Sequence, residues 1–351
     1  MRRKRTEIAN AEVINTPHST QRCVRQEYFL DDNQRVKGRY KQRRVAIFQR
    51  LVHLASAFAI DVLRVSFMSN HIHLNLRNRP DIVSTWSDYE VVRRWLKICP
   101  GYCQAHVDYH EYQPTPPTEE DIVRELNDKK RVKELRRRLS DISTFMWSFN
   151  NYSSKLFNLM DGVGGCFWES RYKVQALLDS EALLICGLYI DLNPIRAGIA
   201  NTPEDSKFTS AYWQIETLKF LAEYPNADPA KRPDAFLAPI QVTSDEASRT
   251  SSSTGCRASD FGFLDMSSAE YLILLDLVGR IAREDKVGII PPELPPIFER
   301  LKIEFEAVVE LVKGYENLFR TFVGTSESIK VKTRELGAKR LHCPAISRRT
   351  D

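Results

Sequence analysis

The run His71-Ile72-His73-Leu74-Asn75-Leu76 alternates polar and apolar side chains without interruption. A period of two belongs to a strand, so Ile72, Leu74 and Leu76 line one face and His71, His73 and Asn75 the other. A second strand, Asp61–Phe67, precedes it, and Met68-Ser69-Asn70 forms a bend or bulge between them. Two histidines on one side of a strand can offer two imidazole nitrogens to one divalent ion at the sheet surface. A bare H-x-H equally describes two ordinary surface histidines.

The rest of the chain supplies helices around such a sheet. Gln21–Leu30 reads as a first strand, with turn chemistry following at 31–34. Apolar residues at helical spacing predict a helix over Arg43–Phe58. Further helices are predicted from Tyr89 to the Pro100-Gly101 break, over Glu119–Leu139, over Ser140–Leu159 and over Pro203–Lys219. Cys166–Val174 is aromatic and suits a short strand. Asp179 or Ser180 can cap a helix that runs through Asn193 and stops at Pro194. The expected organisation is a basic flexible arm at 1–19 and a catalytic domain at 20–220 with a helical insertion at about 84–140. A linker at 221–260 and a helical C-terminal extension at 261–351 follow, with helices over Ser267–Asp285 and Pro295–Gly314.

In that capped helix, Tyr189 and Asn193 stand four apart and share a face. A phenol and an amide oxygen can thus face one bound ion. The same residues also suit a half-buried core aromatic and a helix C-cap.

The segments Met68-Ser69-Asn70-His71-Ile72-His73-Leu74 and Tyr189-Ile190-Asp191-Leu192-Asn193-Pro194-Ile195-Arg196-Ala197-Gly198 flank Phe167-Trp168-Glu169-Ser170-Arg171-Tyr172-Lys173. In this order the three resemble the HUH single-tyrosine transposases, most closely the REP-associated tyrosine transposase branch. The resemblance covers roughly residues 20–215. It implies an α+β, ferredoxin-like fold, with a central antiparallel sheet and packed helices. It implies Tyr189 as nucleophile, and His71, His73 and Asn193 as ligands of a divalent metal, Mg²⁺ or Mn²⁺. The implied substrate is single-stranded, hairpin-containing DNA, cleaved and rejoined through a 5′-phosphotyrosine during transposition. The alternative is a domesticated DNA-binding protein of the same fold without that activity. A homodimer is one possible assembly.

Arg171, Lys173 and Arg196 are candidate phosphate contacts, and Trp168, Phe167 and Tyr172 candidate base-stacking rings. For Phe167 and Trp168 core packing is an equal alternative, and Tyr172 is the second candidate nucleophile. Cys99, Cys103, His106 and His110 make a C-x₃-C-x₂-H-x₃-H zinc pattern interrupted by Pro100-Gly101. The basic runs at 129–131 and 136–138 suit a solvated helix face or a DNA patch.

Composition agrees with this class. The 351 residues carry a net charge of +5 and are 42% hydrophobic, with seven scattered cysteines. That favours a cytoplasmic protein with free thiols, a mild preference for an anionic partner and no membrane partner.

Overall fold

The computed structural model describes residues 5–27, 29–30, 39–98, 117–200, 202–242, 250–281, 322–323 and 326–337. A short helix α1 (Arg5–Ile8) leads into β1 (Thr16–Arg22), and α2 (Arg39–Ala55) connects to β2 (Ile60–Phe67) and β3 (His71–Asn78). These last two form an antiparallel hairpin closed at Met68, whose N–H donates to the His71 carbonyl at 2.8 Å. Helices α3 (Pro80–Thr85), α4 (Asp88–Ile98), α5 (Glu119–Leu126), α6 (Lys129–Leu139) and α7 (Ile142–Asp161) follow. The chain re-enters the sheet as β4 (Lys173–Leu177), then forms α8 (Ser180–Arg196), α9 (Ser210–Glu223) and α10 (Ser268–Ile281). The two-residue β5 (Phe322–Val323) and α11 (Ser326–Glu335) come last.

The fold is α+β. The sheet order is β2-β3-β1-β4-β5, antiparallel throughout except for the parallel β4–β5 pair. Its two faces are covered by different helices. Ile72, Leu74, Leu76, Val65 and Phe67 pack with α2, α7 and Trp86 and Trp95 of the insertion. Leu63 and the apolar residues of α8 pack with Tyr271, Leu274, Leu275 and Val278 of α10. A bulge between Val62 and Arg64 lets Leu63 and Arg64 both meet α8, although they are adjacent in the chain. Strand β2 would be an open edge, but bridges from Thr209 to Ser66 and from Leu237 to Val62 cover it.

Several boundaries differ from expectation. The first strand is Thr16–Arg22, not Gln21–Leu30. Its polar sequence with Pro17 reads as a tail, yet it lies between β3 and β4 and pairs with both. Strand identity here comes from its neighbours rather than from propensity. After Cys23 the backbone turns through Arg25 and Gln26, both at positive φ, and Leu30 N–H donates to the Ser69 carbonyl at 2.8 Å. Glu119–Leu139 is two helices, because the Asp128 carboxylate accepts from Arg131 N–H and starts a new one.

Pro194 does not end α8 but sits inside its last turn. The Ala197 N–H still donates to the Asn193 carbonyl at 2.9 Å, and Gly198 closes the end at φ 66°. Helix α9 starts at Ser210, seven residues later than the expected Pro203, with Thr209 accepting from Tyr212 N–H.

The stretch 221–260, expected as a linker, contributes buried Phe236, Leu237, Ala238, Ile240 and Ser259. Asp61 accounts for part of this. Its buried carboxylate accepts from Arg77 at 2.7 Å and from Ser259 N–H at 2.9 Å, while Arg77 also donates to the Gly262 carbonyl at 2.8 Å. The turn at 31–34, residues 243–249, the Pro295–Gly314 helix, residues 2–4 of the basic arm, the basic residues from Lys339 onward and the Cys99–His110 pattern lie outside the described residues. Among the described residues no helix is long and apolar enough to cross a membrane.

Candidate functional site

The polar face of β3 is not open to solvent, as a surface metal pair would require. His73 is 1% exposed and Asn75 fully buried, and only His71, at the strand start, is half-buried. The two imidazoles stand edge to face with ring centroids 4.8 Å apart. His71 Nδ1 meets Asn70 Oδ1 at 2.6 Å.

Cross-strand registry explains the company His73 keeps. Thr20 of β1 pairs with His73 on one side and with Lys173 of β4 on the other, and His18 pairs likewise with Asn75 and Gln175. Directly opposed residues share a face, so these rows run beneath α8. His18 is buried, and its Nε2 lies 2.9 Å from His73 Nδ1. His18 Nδ1 lies 2.9 Å from Gln175 Oε1. His73 Nε2 is buried without a hydrogen-bond partner among the described residues. Burial, above all, pushes the His73 pKa well below the usual histidine value. His73 is therefore a neutral imidazole, the form that ligates metals.

Helix α8 brings the tyrosine. Asp179 accepts from Ala182 N–H at 2.9 Å and fixes where the helix begins. Ten residues on, Tyr189 is 5% exposed, with its ring edge-on to His73 at 5.4 Å and to His18 at 6.2 Å. Asn193 donates from Nδ2 to the Tyr189 carbonyl at 3.0 Å, which leaves Oδ1 as its ligating atom. The Arg196 guanidinium lies 5.9 Å from the centre of the Tyr189 ring, and burial lowers its pKa. The structure thus gathers His71, His73, Tyr189 and the unforeseen His18, with Asn193 and Arg196 continuing along the helix.

Two imidazoles and an amide oxygen form a donor set that suits a hard or borderline divalent cation completed by phosphate and water. The buried, unpartnered His73 Nε2 fits such a cation. Among the described residues no group of three or more His, Cys, Asp or Glu side chains could hold a metal by itself.

A buried polar knot supports the helix from below. Asp191, between Tyr189 and Asn193, points the other way and is fully buried. It accepts from Tyr271 Oη at 2.9 Å and from Ala211 N–H at 3.1 Å, with Arg64 Nε at 3.6 Å. The Arg64 guanidinium lies 3.9 Å from the centre of the Tyr271 ring. Burial raises the Asp191 pKa and carries that of Tyr271 well above its usual value. No sequence spacing connects Arg64, Asp191 and Tyr271.

The expected DNA-binding residues divide. Arg171 and Lys173 are exposed. Trp168 is 6% exposed with Nε1 donating to Ser153 Oγ at 3.0 Å, and Tyr172 is 5% exposed with its hydroxyl 3.1 Å from Ser143 Oγ. Phe167 is buried as well. All three rings are buried, the arrangement of the core-packing alternative for Phe167 and Trp168. Tyr172 precedes Lys173 and meets α7, on the sheet face opposite Tyr189, so it is not placed to act as nucleophile with the histidines. In α6, Glu134 pairs with Arg137 and Arg138, while Arg136 pairs with Asp88 at 2.9 Å. That pattern favours a solvated, internally paired helix over a DNA patch.

Comparison of the chain with protein-family models, curated proteins and solved structures returns no significant match.

Proposed function

We propose that the protein is a transposase that cleaves and rejoins single-stranded DNA with Tyr189 as its nucleophile. The observation that carries this reading is the meeting of Tyr189 with His73, itself edge to face with His71, from two segments more than a hundred residues apart. The ordered motifs of the HUH single-tyrosine transposases support it further, as does the exposure of Arg171 and of Lys173, the latter one strand from His73 through Thr20.

The Tyr189 oxygen attacks a backbone phosphorus, and the bond from phosphorus to the 3′ oxygen breaks. The phenol gives up its proton, and the released 3′ oxygen takes one up. The products are a 5′-phosphotyrosine and a free 3′-hydroxyl. A second 3′-hydroxyl reverses the step, forming a new phosphodiester and restoring the phenol, so no external energy source is needed. His71, His73 and Asn193 would hold Mg²⁺ or Mn²⁺, which supplies polarisation and orientation of a nonbridging phosphate oxygen. Arg196, close to the Tyr189 ring, adds positive charge where the phosphate must sit. Arg171 and Lys173 bind phosphates along the strand.

Incubation with hairpin-bearing single-stranded oligonucleotides from the gene's flanks, in Mn²⁺ or EDTA, tests the reading. A covalent protein–DNA band that needs metal and disappears in Tyr189→Phe is the expected result. Binding without an adduct, in Mn²⁺ and in Mg²⁺, would make the protein a DNA binder of this fold and end the proposal.

A further inference from the structure

His18 belongs to none of the sequence motifs, yet its Nε2 lies 2.9 Å from His73 Nδ1 across the sheet. Both rings are buried, and their planes are inclined by only 18°. Two ring nitrogens at this distance share a single proton, because two lone pairs or two N–H groups would repel. Gln175 decides which nitrogen carries it. Its Oε1 is an acceptor, so His18 Nδ1 is the donor of that 2.9 Å contact. A second proton, at Nε2, would make His18 a buried cation and leave His73 an N–H at Nε2 without an acceptor among the described residues, so His18 keeps only a lone pair at Nε2. His73 must donate from Nδ1, and its own lone pair is left at Nε2. That is the buried atom for which the described residues supply no partner. Thr20 Oγ1 lies 3.4 Å from His18 Nε2 and 3.3 Å from His73 Nδ1, against the shared proton.

We infer that His18, oriented by Gln175, is a positioning residue that fixes the tautomer and the direction of His73 and so presents His73 Nε2 to the divalent cation. The inference rests on the metal-assisted reading above. His18 is not itself a ligand, since one nitrogen meets Gln175 and the other meets His73. Outer-sphere partners of this kind hold a metal-binding imidazole in place and keep its ligating nitrogen unprotonated. β1 makes the arrangement possible. Its register sets His18 diagonally from His73, close enough for side-chain contact.

The test uses the full chain, with two independent readouts. In metal-free protein, ¹⁵N NMR of the histidine rings should show His73 protonated at Nδ1. His18→Ala or Gln175→Leu should lose that single tautomer. Mn²⁺ titrations, followed by electron paramagnetic resonance, should show His18→Ala binding roughly 10- to 100-fold more weakly than wild type. His18→Gln, which restores an acceptor oxygen, should recover most of the affinity. If His18→Ala does not fold, Gln175→Leu and His18→Gln carry the same comparison at less cost in volume. Wild-type Mn²⁺ affinity in a folded His18→Ala or Gln175→Leu overturns the inference. So does pulsed resonance showing three coordinated imidazoles, which would make His18 a ligand. A wild-type protein that binds no Mn²⁺ overturns the metal reading instead, and the tautomer measurement still decides whether His18 sets His73.

Discussion

The rings of His73 and Tyr189 stand edge to face, 5.4 Å between centroids and 87° between planes, across the junction of β3 with α8. Neither ring is free to choose this geometry. His73 is held through His18 and the register of β1, and Tyr189 by a helix whose start is fixed at Asp179 and whose underside is tied to Arg64 and Tyr271. The proposed attack of a phenol oxygen on a phosphate depends on such constraint. The supports therefore matter as much as the reacting groups.

Asp191 is the point where the support is most open to damage. Asp191→Ala strands Arg64 as an uncompensated buried charge and should cost about 3–5 kcal/mol in urea unfolding. Tyr271→Phe removes one donor from a carboxylate that keeps others, and about 1–3 kcal/mol is expected. Equal effects of the two substitutions would mean that Arg64 draws its compensation from elsewhere.

Gly262 admits no side chain. A Cβ there would lie 1.9 Å from the Gln241 carbonyl oxygen, and backbone cannot yield as a side-chain tip can. Gly262→Ala should displace the 260–264 segment from 240–242 and with it the carbonyl that receives Arg77. The expected outcome is a loss of stability well above about 1 kcal/mol, measured as a lower melting temperature. An unchanged melting temperature would show that this segment is not locked onto the sheet.

Acid should weaken the fold through buried histidines. Burial, with Arg50 nearby, pushes the His53 pKa down from 6.5 to about 4. The unfolded chain therefore binds a proton between those values that the folded chain refuses, so stability is intact above pH 6.5 and falls as pH drops toward 4. The total is on the order of 3 kcal/mol. His73 acts in the same direction. Unfolding curves of wild type and His53→Gln should converge between about pH 7 and about pH 4.5, since the variant lacks this proton-linked loss. Curves that stay parallel over that range would remove His53 as the cause.

Arg171 and Lys173 should matter for DNA and Trp168 for folding. Removing both cations should weaken single-stranded DNA binding and lower the slope of log affinity against log salt by about 0.7 for each phosphate no longer neutralised. Trp168→Ala should instead cost about 3–5 kcal/mol of stability, because the indole is packed between Phe167 and Ser153. A Trp168→Ala protein with normal stability but poor DNA binding would restore the stacking role.

The local structure that carries the proposed site residues was legible in short-range pattern. Alternation over residues 71–76 specified a strand with both histidines on one side, because a period of two admits no other arrangement. The Asp179 cap and the apolar run after it specified the helix that carries Tyr189, and the four-residue spacing put Asn193 on its face. The α+β character followed from the mixture of these two periodicities.

What the sequence left open depended on contacts between distant segments. β1 is a strand only because β3 and β4 supply hydrogen-bond partners on both sides, and that placement is what delivers His18 to His73. Arg64, Asp191 and Tyr271 are polar residues in unrelated segments until burial forces them to satisfy one another. The stretch beyond residue 221 is rich in small and polar residues, yet Ser259 is buried on Asp61 because a carboxylate shut away from water needs donors. The sequence by itself determined that both histidines share one side of a strand and that Tyr189 stands on a capped helix. Tertiary structure alone decided which residues hold them, since burial and cross-strand register do not exist until the chain has closed on itself.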